Sequence, residues 1–196
     1  MHIQLSYRLI VRDRHGHTLH CSPDMPAHSF VQAYVQGLRA LFNQAAEANV
    51  RDTSNALWSI RNPNTASTQP FRLTFPAASD VGGILIGTGV TAVTMADWKL
   101  DVKIAHGVGG GQMDYAATVI GAFSQAGGDA ELTVSRLFTN SSGGQITIGE
   151  TGVVCLWITT LGAGKDFLII RDVLPAPVDV EDAQTVTVVY TVKVSV

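Results

Sequence analysis

The run Thr185-Val-Thr-Val-Val-Tyr-Thr-Val-Lys-Val-Ser-Val196 alternates apolar and polar residues with a period of two. Val186, Val188, Tyr190, Val192, Val194 and Val196 share one face of an extended strand, and Thr185, Thr187, Thr191, Lys193 and Ser195 share the other. One face is therefore core, and this segment is held in a sheet.

The segments before it repeat the theme. Phe167-Leu-Ile-Ile170 and Val153 to Ile158 are continuous apolar runs suited to strands covered on both faces. Gln145-Ile-Thr-Ile148 reads as a separate strand, Leu161-Gly-Ala-Gly164 as a turn, and Pro175 and Pro177 as the end of the Phe167 strand. Asp179 to Ala183 forms a last turn. Asn140-Ser-Ser-Gly-Gly144 turns the chain between Glu131–Thr139 and Gln145, and this turn chemistry also explains the Asn140-Ser-Ser142 sequon. Met113–Phe123 and Glu131–Thr139 are strands joined through the hairpin sequence Gln125-Ala-Gly-Gly-Asp129.

Further upstream, Gly83 to Gly87 is a strand that stops at Gly87-Thr-Gly89, and Met95 to Leu100 is a turn or short helical segment that places Trp98 and Leu100 on the core. Asp101–Ile104 is a short strand, and residues 106–111 form a glycine-rich loop. The chain opens on a hairpin: Ile3–Asp13, a turn at Arg14–His17, and Thr18–Cys21 returning antiparallel. Ser29 with Gln32 makes a capping box, and Phe30, Val31, Tyr34, Val35, Leu38, Leu41, Phe42 and Ala45 recur at helical spacing to about Asn49. That stripe is expected to cover the sheet core, with a partner-binding groove or a membrane surface as the alternative. Residues 50–78 are the least legible, with short strands at Asn55–Ile60 and Phe71–Phe75 around a polar loop at 61–70.

The expectation is a mainly β chain, an antiparallel β-sandwich of jelly-roll type with one amphipathic helix near its start. It is taken as one domain over residues 1–196. Residues 1–49 form a hairpin-plus-helix subelement, 50–80 an irregular connector and 81–196 the main sandwich.

Composition narrows the function. Of 196 residues 15% are charged, the net charge is −3 and the mean hydropathy is +0.21. The thirteen basic residues are scattered, which argues against a nucleic-acid partner. The longest uncharged run, Val81 to Ala96, is glycine-broken and too short for a membrane span. No basic segment followed by an apolar one opens the chain, so a cleaved secretory signal is not expected. Cys21 and Cys155 have no metal-ligand spacing and read as buried or half-buried free thiols.

His15, His17 and His20 cluster at a turn without a carboxylate or cysteine at metal-binding spacing, and are read as solvated. Gly162-Ala-Gly-Lys165 lacks both the earlier glycine and the following Ser or Thr of a phosphate loop, since Thr159 and Asp166 stand there. Asp97, Asp101, Glu150 and Asp172 form no recognisable acid/base pair, and Asp179, Glu181 and Asp182 read as solvated turn acids. No catalytic residue, cofactor or metal is expected, and the chain is read as non-enzymatic.

The second half resembles virion structural proteins of tailed bacteriophages. The likeness rests on Gly83-Ile-Leu-Ile-Gly87-Thr-Gly89-Val-Thr-Ala-Val-Thr-Met-Ala-Asp-Trp-Lys-Leu100 with Ile104-Ala-His-Gly107, and on Val134-Ser-Arg-Leu-Phe-Thr-Asn-Ser-Ser-Gly143 with Ile146-Thr-Ile-Gly-Glu150. Phe167-Leu-Ile-Ile-Arg-Asp-Val-Leu174 and the last strand complete it, and Val11-Arg-Asp-Arg-His-Gly16 with His28-Ser-Phe-Val31 extends it to the opening. The chain departs from that pattern after Glu150, where Thr151-Gly-Val-Val-Cys155 stands in place of a hydrophobic residue, glycine and an aromatic.

The resemblance implies a component of an assembled particle, on the head, neck, tail or baseplate, located in the virion after assembly in the host cytoplasm. Its partners would be its own copies and neighbouring virion proteins. Candidate assembly contacts are Asn62, Asn64, Phe71, Phe75 and Val108, in or beside the loops at 61–70 and 106–111. The alternative is a carbohydrate- or receptor-binding sandwich with Trp58, Trp98, Trp157 and Tyr115 as a sugar platform. Trp157 and Trp98 are expected in the core, so a glycan ligand is the less favoured reading.

Overall fold

The computed structural model describes residues 2–27, 30–43, 45–61 and 71–195. In order these are β1 (His2–Arg12), β2 (Thr18–Cys21), β3 (Met25–Pro26), α1 (Gln32–Asn43), β4 (Glu47–Arg51), β5 (Leu57–Ile60), β6 (Phe71–Arg72) and β7 (Gly83–Gly87). There follow β8 (Asp114–Tyr115), β9 (Val119–Ile120), β10 (Ser124–Ala126), β11 (Asp129–Thr139), β12 (Ile146–Ile158), β13 (Gly164–Val180) and β14 (Thr185–Ser195). The fold is mainly β, with antiparallel ladders throughout its sheets.

β14 is the centre of the larger sheet, flanked by β1 on one side and β11 on the other over eleven residues each. The alternation in its sequence is what fixes the register, because a one-residue slip would turn every valine to the wrong face. Three rungs of the inner face result: Val11–Val186–Phe138, Leu9–Val188–Arg136 and Tyr7–Tyr190–Val134, all buried. The next rung, Leu5–Val192–Leu132, opens toward water, with Val192 39% and Leu132 37% exposed. The paired valines therefore leave the core before the strand ends.

In the second sheet β12 lies between β13 and the short strands β6 and β7. Two expectations fail here. Residues 145–158 make one strand from Ile146 through Ile158, because Glu150 and Thr151, the polar residues between the two apolar runs, are buried and bonded within the sheet. The strand after residue 164 runs through Pro175 and Pro177 to Val180 instead of ending there. Its register jumps from Glu150↔Val173 to Ile148↔Val178, so both prolines sit in a bulge where no ladder donor is required.

Three smaller differences are local. Asp101–Ile104 is not a strand; it contacts β7 through the single bridge Gly87↔Lys103 and the Ile104 N–H to Ile86 carbonyl bond at 3.0 Å. Residues 113–123 are broken into β8 and β9. Residues 71–75 keep a ladder only at Phe71–Arg72.

The helix ends at Asn43, not near Asn49, because Glu47–Arg51 pairs with Leu57–Ile60. The Asp52 carboxylate closes that hairpin, accepting from the Ser54 and Ala56 N–H groups (2.9 Å each) and from Trp58 Nε1 (2.7 Å). The expected cap residue Ser29 lies outside the described residues.

The helix meets the expectation only at its start: Val31 is buried and Phe30 and Tyr34 pack on the core, whereas Val35, Leu41 and Phe42 are exposed. Its buried residues are Ala33, Gly37 and Ala40, one narrow stripe of small side chains. Trp157 occupies the groove: a Cβ on Gly37 would stand 2.4 Å from its ring. Gly37→Ala therefore has a sign that tests the packing. On a free helix alanine gains about 1 kcal/mol over glycine, whereas here the clash should cost a net 1–3 kcal/mol, read as a fall in the denaturation midpoint.

Candidate assembly surface and buried polar centres

Two buried charged centres hold the loops on the sheets. The first is Arg136, 1% exposed in a rung otherwise made of Leu9 and Val188. Its guanidinium donates to the carbonyl oxygens of Ala116 (2.7 Å), Gly82 (2.8 Å), Ile84 (3.0 Å), Ser79 (2.5 Å) and Pro76 (3.3 Å). It also lies over the Tyr115 ring at 4.8 Å. Burial pulls its pKa down to about 10, which leaves it protonated at neutral pH. Arg136 thus fastens the 76–84 segment and residue 116 to β11.

The second centre is built on β12 and β13. Glu150, fully buried, accepts from Arg171 Nε (2.7 Å) and from the N–H groups of Val102 (2.8 Å) and Asp101 (3.1 Å). Arg171 continues to Asp97 Oδ2 (2.7 Å) and the Thr91 carbonyl (3.0 Å). Burial works against the charge on Arg171, but the bonds to Asp97 and Glu150 outweigh it and raise its pKa. For Asp97 burial pushes upward and is outweighed by donation from Arg171 and Thr94, so its carboxyl titrates below the usual 3.8. Gly87 and Gly89 are required beside Glu150, since a Cβ at either would stand 2.6 Å or less from its carboxylate. The whole group pins residues 91–102 onto the sheet.

A third buried acid, Asp172, accepts from the Tyr190 hydroxyl at 3.1 Å, and Tyr7 donates to the Val173 carbonyl at 3.5 Å. Burial, with Asp172 nearby, pushes Tyr7 up to about 12. These tyrosines are paired ring to ring at 5.6 Å and carry hydroxyl protons into the interior as donors.

A mixed-charge hollow of about 330 Å³ has a floor of Leu85, Leu100 and Val154 and a rim including Asp80, Lys103 and Asp166. Lys103 is already spoken for, 3.3 Å from Asp80 Oδ2 and donating to the Asp80 carbonyl at 2.7 Å. Burial, with Asp52 nearby, raises the Asp166 pKa. Among the described residues no group of three or more His, Cys, Asp or Glu side chains is arranged to hold a metal ion. His15, His17 and His20 are exposed, His17 beside Asp13 at 2.9 Å. The structure buries Cys155 and leaves Cys21 exposed. Among those residues no helix is long and apolar enough to cross a membrane.

The aromatic platform is not assembled. Trp157 and Tyr115 are interior, 3% and 0% exposed, while Trp58 and Trp98 are half-buried. Tyr115 packs edge-on against Phe138 at 4.7 Å and donates to the Ile104 carbonyl at 2.7 Å. Of the expected contact residues, Val108 is exposed in its loop, and Phe71 is partly exposed with its ring edge-on to Trp157 at 5.2 Å. Phe75 is buried, under the Arg72 guanidinium and against Gly82, so its side chain serves the interior. Asn62 and Asn64 lie outside the described residues.

Sequence reasoning missed where the exposed apolar side chains collect. Phe42 is 81% exposed and Val35 53%, with Leu41 also exposed and Leu38 half-buried, on the side of α1 away from Trp157. At the open rung of the large sheet, Leu132 and Val192 are joined in the exposed set by Phe123 and Ile120 near β9 and β10. The helix stripe was visible as a pattern; the signal for its direction was the line of small residues Ala33, Gly37 and Ala40. In comparisons with known proteins, no family model, no curated protein and no solved structure matches this chain.

Proposed function

We propose that the chain is a structural subunit of a tailed-bacteriophage particle, a head, neck or tail component that assembles with its own copies and with adjoining virion proteins. The observation that carries the reading is the amount of large apolar surface left in water by a weakly charged chain, above all Phe42, Leu161 and Phe123. Such side chains are normally covered by neighbours. The sequence resemblance supplies the kind of assembly. In the same reading the two large sheets face each other as a sandwich, supported by the Tyr190–Asp172 and Tyr7–Val173 bonds that join them.

Sedimentation and negative-stain imaging of the purified protein test it, together with mass spectrometry of phage particles from a host expressing the chain. Concentration-dependent oligomers and recovery of the chain in particles are expected. A species that stays monomeric at all concentrations and is absent from particles overturns the proposal.

A further inference from the structure

The hollow over Leu85, Leu100 and Val154 is short of one positive charge, and we propose that it binds a primary alkylammonium group, with the amine head against Asp166 and the methylenes on the apolar floor. This goes beyond the assembly reading and stands without it.

The Asp166 carboxylate carries the argument. Asp166 is half-buried on β13, opposite Leu156 of β12, and its backbone carbonyl accepts from the Thr53 N–H at 2.9 Å, which fixes the residue in the wall of the hollow. Its Oδ1 is shut off from solvent and accepts no hydrogen bond from the described residues. Such an acceptor is costly to keep. The cations around it are engaged elsewhere: Lys165 Nζ lies over the Trp58 ring at 4.2 Å, and the Arg72 guanidinium over the Phe75 ring at 5.4 Å. Both favour the ionised carboxylate, but burial and the charge of Asp52 outweigh them and raise its pKa.

The rest of the rim leaves the same deficit. Lys103 is paired with Asp80, and Lys99 lies over the Trp98 ring at 5.0 Å. Two carboxylates, Asp101 and Asp166, therefore stand against the single ammonium of Lys99. The described acids are not grouped to hold a metal ion, so the missing charge is that of an organic cation. With Oδ1 enclosed, Asp166 does not present both oxygens to a planar guanidinium, whereas a compact ammonium needs only one. Its other donors have the Thr53 hydroxyl in the same lining. A volume of about 330 Å³ over an aliphatic floor admits a short alkyl stem.

The test is titration of the native chain with n-butylammonium chloride, followed by amide shifts. The amides of Thr53, Asp101 and Asp166 should move together and saturate with a dissociation constant on the order of 1 mM. Uncharged n-butanol should bind about tenfold more weakly, and Asp166→Asn should weaken n-butylammonium binding about tenfold. Asp166→Asn should also raise the denaturation midpoint at neutral pH by about 3 °C, because it removes an uncompensated charge. That gain should shrink as the pH falls and the native carboxyl takes up its proton. Absence of saturable shifts, equal affinity for n-butanol, or a midpoint lowered by Asp166→Asn overturns the proposal, the last because the charge is then already compensated within the chain. If bound n-butylammonium also dissociates the oligomers seen in sedimentation, the amine is a lysine side chain of a neighbouring copy; if oligomers are unaffected, it is a free amine. A monomer at every concentration removes the assembly reading and leaves this site to the titration alone.

Discussion

Arg136→Met should lower the unfolding free energy by about 4 kcal/mol or more, since it removes a buried cation and strips its donors from several enclosed carbonyls at once. The methionine fills much of the volume in the rung between Val188 and the 76–84 segment, so the loss reports the hydrogen bonds more than a cavity. Arg136→Lys keeps the charge but offers three donors in place of a planar fork, and should recover about half of the difference. Denaturant unfolding gives the magnitudes. Hydrogen exchange gives the location: amides near residues 79–84 should lose protection before those of β14 do. Equal loss across the whole chain would mean that Arg136 holds the core rather than the loop.

Glu150→Ala should cost about 3–5 kcal/mol, because it leaves Arg171 buried beside an empty site and the N–H groups of Asp101 and Val102 without an acceptor. Adding Arg171→Met should restore part of the stability, since no uncompensated charge then remains, and a double-mutant cycle measures the coupling. The same centre has a pH dependence with a definite sign. The folded-state pKa of Asp97 lies below the usual 3.8, so its contribution is present above that value and is lost as the pH falls through the folded one. Removing Arg171 should flatten this acid limb of the stability curve.

The long strands of the large sheet were readable as strands from residues alone because alternation is local, whereas the pairing of β14 with β1 and β11 was not. Alternation along 185–195 and 3–11, with glycines 127 and 128 at positive φ in the hairpin before β11, states both the inward face and the turn. What was hidden depends on partners distant in sequence. The polar residues Glu150 and Thr151 separate the apolar runs 145–148 and 153–158 in sequence, and only Arg171 and the Leu85 carbonyl beside them show that the strand runs through; the role of Arg136 likewise depends on the distant 76–84 segment. The helix was legible as a helix, but periodicity does not say which half of a wide apolar arc meets the core. Trp157 decided that by fitting only against glycine and alanine.

The bulge at Leu174-Pro-Ala-Pro177 bears on what the edge of the second sheet can pair with. β13 is the outer strand of its sheet, and an outer strand invites another molecule to continue the backbone ladder. Two exposed rings without amide hydrogens, Pro175 and Pro177, interrupt that template beyond the part of the edge bridged by Phe30 at Ile170. Addition of further strands along that edge is thereby obstructed, and with it the endless ladder growth that leads to fibrils.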